Sequence, residues 1–180
     1  MPDVTDHPFW RFSLAVYARD GVAPACLALQ ERRDLDVNLL LFCCWAGTCG
    51  RALSAAEVAR LIESVRPWRE GAVRPLRAVR RWLKAQAAAP RDVAEPLRER
   101  VKAAELDAEA IEQWLLAEAL PVAERPGAAQ AVAANMGAYF AALGRAPDAA
   151  DLADLAAVLR GCCAGLASGD AIRLLDFGDG

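Results

Sequence analysis

One histidine occurs in 180 residues, His7, and it stands near the N-terminus with no serine or cysteine beside it to activate. A Ser-His-acid or Cys-His mechanism would have to be built on that one side chain, so an exposed terminal imidazole is the simpler expectation. Neither GxxxxGK[ST] nor GxGxxG occurs, and no phosphate-cradling loop can be argued. The six cysteines include no CxxC pair; Cys44 and Cys49 lie five apart, and Cys43-Cys44 and Cys162-Cys163 are adjacent doublets. Neighbours on a helix point about 100° apart, so a doublet serves one metal poorly. No catalytic residue, metal site or cofactor is therefore expected. Most of the thiols read as small buried hydrophobes, with Cys49, between Gly47 and Gly50, the one placed for exposure and reactivity.

Also missing are alternating runs of β-branched and aromatic residues, which argues against a sheet. No run approaches the roughly eighteen apolar residues of a membrane span; Val37 to Gly47 is the longest candidate, and Asn38 interrupts it. The first residues, MPDVTDHPFW, are acidic and aromatic where a signal peptide is basic and then apolar. A cytoplasmic protein is expected. Hydrophobic residues make up 56% of the chain, but alanine, the strongest helix former, supplies much of that share. The expected class is all-α: a single compact multi-helix bundle of about eight helices spanning residues 1–180, with a possible seam near 86–98.

Capping and breaking signals place the elements. Asp6 and Pro8 open a first helix to Arg19, and Pro24 begins a second that ends near Arg33. Asp36 caps a third, VNLLLFCCWAG, which is apolar nearly all round and so belongs at the centre of the bundle. Ser54 and Glu57 form a capping box for a fourth. Pro67 begins a fifth, with a kink expected around 71–74 because the Pro75 ring clashes with the preceding turn. Asp92 with Glu95 caps a long sixth to Leu120. A seventh covers about 128–143, and Asp148 with Asp151 caps an eighth, followed by a short terminal segment. Asp148, Asp151 and Asp154 only loosely resemble the magnesium-binding clusters of helical enzymes acting on prenyl diphosphates.

The strongest positive signal is charge. Arg66 to Lys84 holds seven basic residues and one acid, Glu70, a local charge of +6 in a chain of −3, which leaves −9 for the remainder. On a helical wheel Arg66, Arg69, Arg77, Arg80 and Lys84 share an arc of about 80°, together with Val73, while Trp68, Ala72, Leu76, Val79, Trp82 and Leu83 share another of about 120°. The tryptophan arc is expected to pack inward and the arginine arc to be partly exposed. Arginine's planar fork suits carboxylates and phosphates, so the strip is a candidate binding face for an acidic protein or a small anionic ligand. The alternative is that it meets the chain's own acids, Glu63, Glu105, Glu109 and Glu112 among them. Nucleic acid is disfavoured by a pI of about 5.3. Charge reversal at Arg77 and Arg80 is expected to abolish partner capture with the fold intact.

The segment PFWRFSLAVYARDGVAPACLALQERRDLDVNLLLFCCWAG, with VRPWREGAVRPLRAVRRWLK after it, resembles an uncharacterised proteobacterial family of small helical proteins classed as a domain of unknown function. The resemblance covers about residues 8–85 and implies a bacterial helical protein with no assigned activity. Within it Trp10, Tyr17, Leu27, Asn38, Leu39, Trp45 and Trp68 are expected to form one core around the third helix. Gln30 and Asn38 are secondary candidate site residues: were they and the arginines to meet at one cavity between the third and fifth helices, a ligand-binding or enzymatic domain becomes credible. Otherwise a non-enzymatic interaction or regulatory module is the leading expectation. Oligomeric state is open.

Overall fold

The computed structural model describes residues 4–85, 90–123 and 125–176. Among these there are nine α-helices and no strand, so the chain is all-α as its composition implies. A 3-10 turn at Val4–Asp6 precedes α1 (Pro8–Tyr17), α2 (Val22–Arg33), α3 (Val37–Thr48) and α4 (Ala55–Trp68). A π-helical turn, Arg69–Val73, joins α4 to α5 (Arg74–Ala85). Then come α6 (Arg91–Ala119), α7 (Ala129–Ala142), α8 (Ala149–Cys162) and the short α9 (Ser168–Leu174). No single described helix is long and apolar enough to cross a membrane. Part of the expected seam, residues 86–89, lies outside the described residues.

The caps agree with the sequence signals in three cases and depart from them in two. Asp36 accepts hydrogen bonds from the Asn38 and Leu39 amides, and complete capping boxes form at Ser54/Glu57 and Asp148/Asp151. At α1 the cap is His7, not Asp6: its Nδ1 accepts from the Phe9 amide at 3.1 Å. Its ring stands edge-on to Trp45, centroids 5.7 Å apart, so this imidazole is packed into the structure and is not a frayed terminal group. At α6 the helix starts from Pro90 with no side-chain cap, and Glu95 is turned instead to Arg98.

Around Pro75 the expected kink takes a specific form. α4 continues through Pro67 to Trp68, and the next five residues widen into a π turn that ends just ahead of Pro75. A wider turn separates the proline ring from the carbonyls it would strike in a regular helix.

Helix α3 lies at the centre, with Asn38 through Gly47 all buried. α1, α6, α7 and α8 surround it. Phe9 and Trp45 stack at 5.4 Å, and Phe42 meets both rings. α7 approaches closest, because Gly47 has no side chain: a Cβ there would sit 2.6 Å from Val132 Cα. Gly127 passes equally tightly under the Gly47 carbonyl, and its amide donates to Thr48 O at 2.9 Å. Buried Asn135 on α7 then clamps the α3–α4 connection, accepting from the Leu53 amide and donating to the carbonyls of Cys43 and Arg51. Arg32 and Arg33 at the end of α2 pair with the fully buried Asp151 and with Asp148 and Asp154, tying α2 to α8. Those three aspartates are thus ion-pair partners of arginines.

Replacing Gly47 by Ala should push α7 away from α3. Forced overpacking of this kind costs about 1–3 kcal/mol, read as a lower urea midpoint with an unchanged slope; an unaltered midpoint would contradict this close approach.

Candidate functional site

The middle of the basic arc, Arg69, Arg77 and Arg80, turns inward, while Arg66 and Lys84 at its ends stay exposed. Val73, the one apolar residue on that arc, is only 1% exposed, whereas Val79 is 46% and Trp82 59% exposed on the opposite arc. α5 contributes no buried residue to the core, and the expectation that Trp82 packs inward is overturned. Trp68 is partly buried, and its indole donates to Ala108 O at 2.9 Å. The physical reason lies on α6, whose packed stripe Glu105–Ala108–Glu112–Leu116 presents carboxylates where an apolar helix would present leucines. Arginine stems pack against such a surface while their heads find charge partners.

The pairing is extensive. Arg77 Nε donates to Glu105 Oε1 at 2.9 Å and its Nη2 to Glu109 Oε1 at 2.5 Å. Arg80 bonds the same Glu105 with Nε and, at 3.1 Å, with Nη2. Arg69 reaches Asp36 Oδ2 at 3.2 Å and the Asp34 carbonyl at 3.0 Å. Arg66 pairs with Glu63, Arg74 with Asp34 and Arg81 with Glu31, all nearer solvent. Lys84, exposed near the end of α5, has no ion pair among the described residues. Burial alone would raise Glu105, but the hydrogen bonds from Arg80 and Arg77 hold it below the usual carboxylate range. For Glu109 burial outweighs Arg77, and its carboxyl is raised.

Behind this pair α1, α2, α3, α5 and α6 enclose a cleft of about 330 Å³. Trp10 and Tyr17 line it from α1, Leu27 and Gln30 from α2, Asn38 and Leu41 from α3, Arg77 and Arg80 from α5, and Glu105, Glu109 and Gln113 from α6. Both secondary candidates, Gln30 and Asn38, therefore share one cavity with two of the strip's arginines. Arg66, Arg69 and Lys84 do not line it. Leu27, expected in the core, is 45% exposed at the cleft.

A chain of buried polar groups runs from the cleft into the core. Gln113 Nε2 donates to Asn38 Oδ1 at 2.9 Å, and Asn38 Nδ2 donates to Glu112 Oε2 at 2.6 Å. Glu112 is fully buried and lies against Asp36. An uncompensated charge at such depth costs several kcal/mol, so the group keeps its proton. Burial, then the Asp36 charge, pushes its pKa up to about 9. The protonated carboxyl faces the Asp36 side chain, and its Oε1 has no hydrogen-bond partner among the described residues. Beyond it the Asp36 amide donates to Tyr139 Oη at 2.9 Å. Two residues that line the cleft each carry a buried polar atom with no partner among the described residues: Ser13 Oγ and Gln113 Oε1, in residues 3% and 4% exposed.

Sequence reasoning missed Ser13 and Gln113, and named Glu112 only as an acid that the basic strip could meet. Glu112 had a legible signal, since it interrupts the Ala108–Leu116 stripe at helical spacing. Ser13 and Gln113 had none, because a lone polar residue on an amphipathic helix ordinarily faces water. The thiols at Cys26, Cys43 and Cys44 are buried, and desolvation raises each, that of Cys26 to about 12. Cys49 is partly buried at the C-terminal cap of α3.

A family model described as protein of unknown function (DUF2390) matches residues 8–116, which is more than half of the chain. The chain belongs to this family. No curated protein and no solved structure matches it. The DUF2390 segment reaches beyond the strip into α6, and every residue lining the cleft, from Trp10 to Gln113, falls inside it. α7, α8 and α9 lie outside.

Two measurements check these electrostatics. Glu112 binds a proton on folding between its ordinary pKa near 4.5 and about 9, so its contribution is full below that window and is lost as pH rises through it. Glu112→Gln, which keeps the acceptor for Asn38 Nδ2 and has no proton to lose, should flatten the fall of the urea midpoint between about pH 5 and 9; an unchanged slope would refute the protonated assignment. The double reversal Arg77→Glu/Arg80→Glu would set four carboxylates together. It should lower stability by roughly 3 kcal/mol, the scale of a broken buried pair, and so reports on the fold before any partner. A midpoint within error of the parent would show that the pairs are dispensable.

Proposed function

We propose that this protein is a small-molecule-binding domain whose site is the cleft between α1, α2, α3, α5 and α6. The observation that carries the reading is one largely apolar cavity, lined among others by Ser13 and Gln113, two residues whose buried Oγ and Oε1 have no partner among the described residues. An unsatisfied buried polar group costs about 1–3 kcal/mol, and such uncompensated groups are uncommon away from functional sites. The cleft has the form of small-molecule sites: apolar walls, a few convergent polar groups and a volume within the usual range of about 300–1,000 Å³. Trp10, Leu14, Leu27, Leu41 and Leu106 supply the walls.

An interaction module using the outer side of α5 is the second reading. Exposed Val79 and Trp82, with half-exposed Arg81 and exposed Lys84 on the same helix, favour it. Surface pairs such as Arg81–Glu31 contribute about 0–1 kcal/mol, and an acidic partner displaces them at little cost. Arg69, Arg77 and Arg80, already engaged by the chain's own carboxylates, carry less of this reading than Arg81 and Lys84 do.

The first reading is tested with a neutral apolar probe, 1-methoxy-3-phenylpropane, followed by amide and indole chemical shifts. Shifts should concentrate at Trp10, Ser13 and Gln113. Leu27→Trp, a change at an exposed position of the cleft, should weaken binding at least fivefold; shifts that avoid these residues, or a variant that binds equally well, would sink it.

A further inference from the structure

The reachable polar groups of the cleft wall are mostly donors, and the surplus follows from how its arginines pair. A guanidinium carries five N–H groups on three nitrogens. Arg77 commits Nε and Nη2 to Glu105 and Glu109, and Arg80 commits the same two nitrogens to Glu105. The Nη1 group of each has no hydrogen-bond partner among the described residues, and neither do the Trp10 indole N–H, the Tyr17 hydroxyl and the Gln30 amide in the same lining. None of these atoms is occluded: the buried side-chain atoms left without a partner are Ser13 Oγ, Glu112 Oε1 and Gln113 Oε1 among the described residues. Guanidinium and indole nitrogens can only donate, so a group that meets them has to accept.

Charge agrees in sign. Arg77, Arg80 and Lys102 line the cleft against Glu105 and Glu109, three cations to two carboxylates, which leaves one positive charge over. Lys102 is held only by exposed Glu99 at 3.5 Å, a surface pair that contributes about 0–1 kcal/mol. Glu109 is the lining carboxylate with an oxygen to spare, since its Oε1 is on Arg77, and burial already disfavours its ionised form. Tyr17 lies within electrostatic reach of Arg77, Arg80 and Glu109, so these groups gather in one part of the cleft. Apolar surface is the other feature of the lining. Leu14, Leu27 and Leu106, from three different helices, are 50%, 45% and 48% exposed there. A ligand with an apolar body covers them.

We infer that the cleft takes an amphipathic monocarboxylate, whose head accepts from Arg77 Nη1, Arg80 Nη1 and Tyr17 Oη while its apolar body covers Leu14, Leu27 and Leu106. This rests on the small-molecule reading above and gives it a ligand class. The internal ion pairs need not open, because the head takes the nitrogens they leave over. A planar guanidinium serves two carboxylates along different edges, as Arg77 already does with Glu105 and Glu109. An amine in the same place would add a fourth cation and leave the donors unmet. A neutral ether of the same shape would meet them with a weaker acceptor, since hydrogen bonds to an ionised group are roughly twice as strong. One surplus charge suits one carboxylate.

The test compares three ligands with one phenylpropyl body at neutral pH: 3-phenylpropanoate, 3-phenylpropylamine and 1-methoxy-3-phenylpropane. Affinities come from chemical-shift titration of the Trp10 indole, the Gln30 side-chain amide and the Arg80 Nε. The acid should bind at least tenfold more tightly than either the amine or the ether. Arg80→Gln should lower acid affinity at least fivefold and leave ether binding within twofold, which also shows that the cleft survives the change. Glu109→Gln keeps an acceptor for Arg77 and removes the opposing charge, so it should raise acid affinity at least threefold. Lys102→Gln, at an exposed position, should lower it at least twofold. The Glu109 and Lys102 variants decide alone should the Arg80 variant fail to fold. An amine or ether that binds as tightly as the acid, or an acid preference that none of these substitutions alters, overturns the carboxylate assignment while leaving the cleft a binding site. If none of the three ligands moves those resonances, the small-molecule reading falls with it.

Discussion

Residues 37–47 carry a single polar side chain, so α3 has no face that water can wet and must be enclosed from every direction. Full burial of each leucine or phenylalanine contributes about 1.5–3 kcal/mol, and Leu39, Leu40, Leu41 and Phe42 stand in a row in this helix. The gain exceeds what one misplaced amide would cost, about 1–3 kcal/mol, but it does not remove the requirement. Asn38 has to be bonded, and the partners within reach belong to α6. Glu112 and Gln113 are therefore drawn into the interior, and with them a carboxyl that remains protonated. The polar chain through the core results from burying α3 with an asparagine near its start.

The same enclosure explains the inversion of the basic strip. Once α6 presents Glu105 and Glu109 along its packed side, α5 can cover it only with groups that neutralise charge. Arg77 and Arg80 do this, and the π turn at Arg69–Val73 sets the register that delivers Val73 and both arginines to one side. Val79 and Trp82 of the apolar arc are left outside as a result, while Leu76 and Leu83 stay half-buried. Amphipathicity read from the strip alone identifies two faces correctly but assigns them by the usual rule that apolar packs inward. That rule fails where the opposing helix is acidic, which only the tertiary arrangement reveals.

How much was legible in the sequence depends on the range of the interactions. The all-α class, the central third helix, the caps at Asp36, Ser54 and Asp148 and the disturbance ahead of Pro75 are local signals, and they hold. His7 as a cap, α4 running through Pro67 and the exposure of Leu27 depend on neighbours far along the chain, so no local pattern carries them. The convergence of Gln30, Asn38, Arg77 and Arg80 on one cavity is a condition that the sequence can only pose, and the structure meets it. Ser13 and Gln113, on which the functional reading rests most heavily, give no sign, because their polarity matters only for what they fail to bond.

The family segment ends within α6, yet the cleft floor leans on the helices beyond it. Tyr139 on α7 accepts the Asp36 amide and is itself buried, so it closes the core directly behind the Asp36–Glu112 pair. Asn135, one turn earlier, fixes the exit of α3. Glu112 is joined through Asn38 to Gln113, a residue of the cleft wall, so the depth at which its carboxyl is held matters to the site. That depth is supplied by α7 seated on α3 through the Gly47 contact. The C-terminal helices thus act on the cleft without lining it: they exclude water from the carboxyl pair, and a pair kept dry keeps its proton.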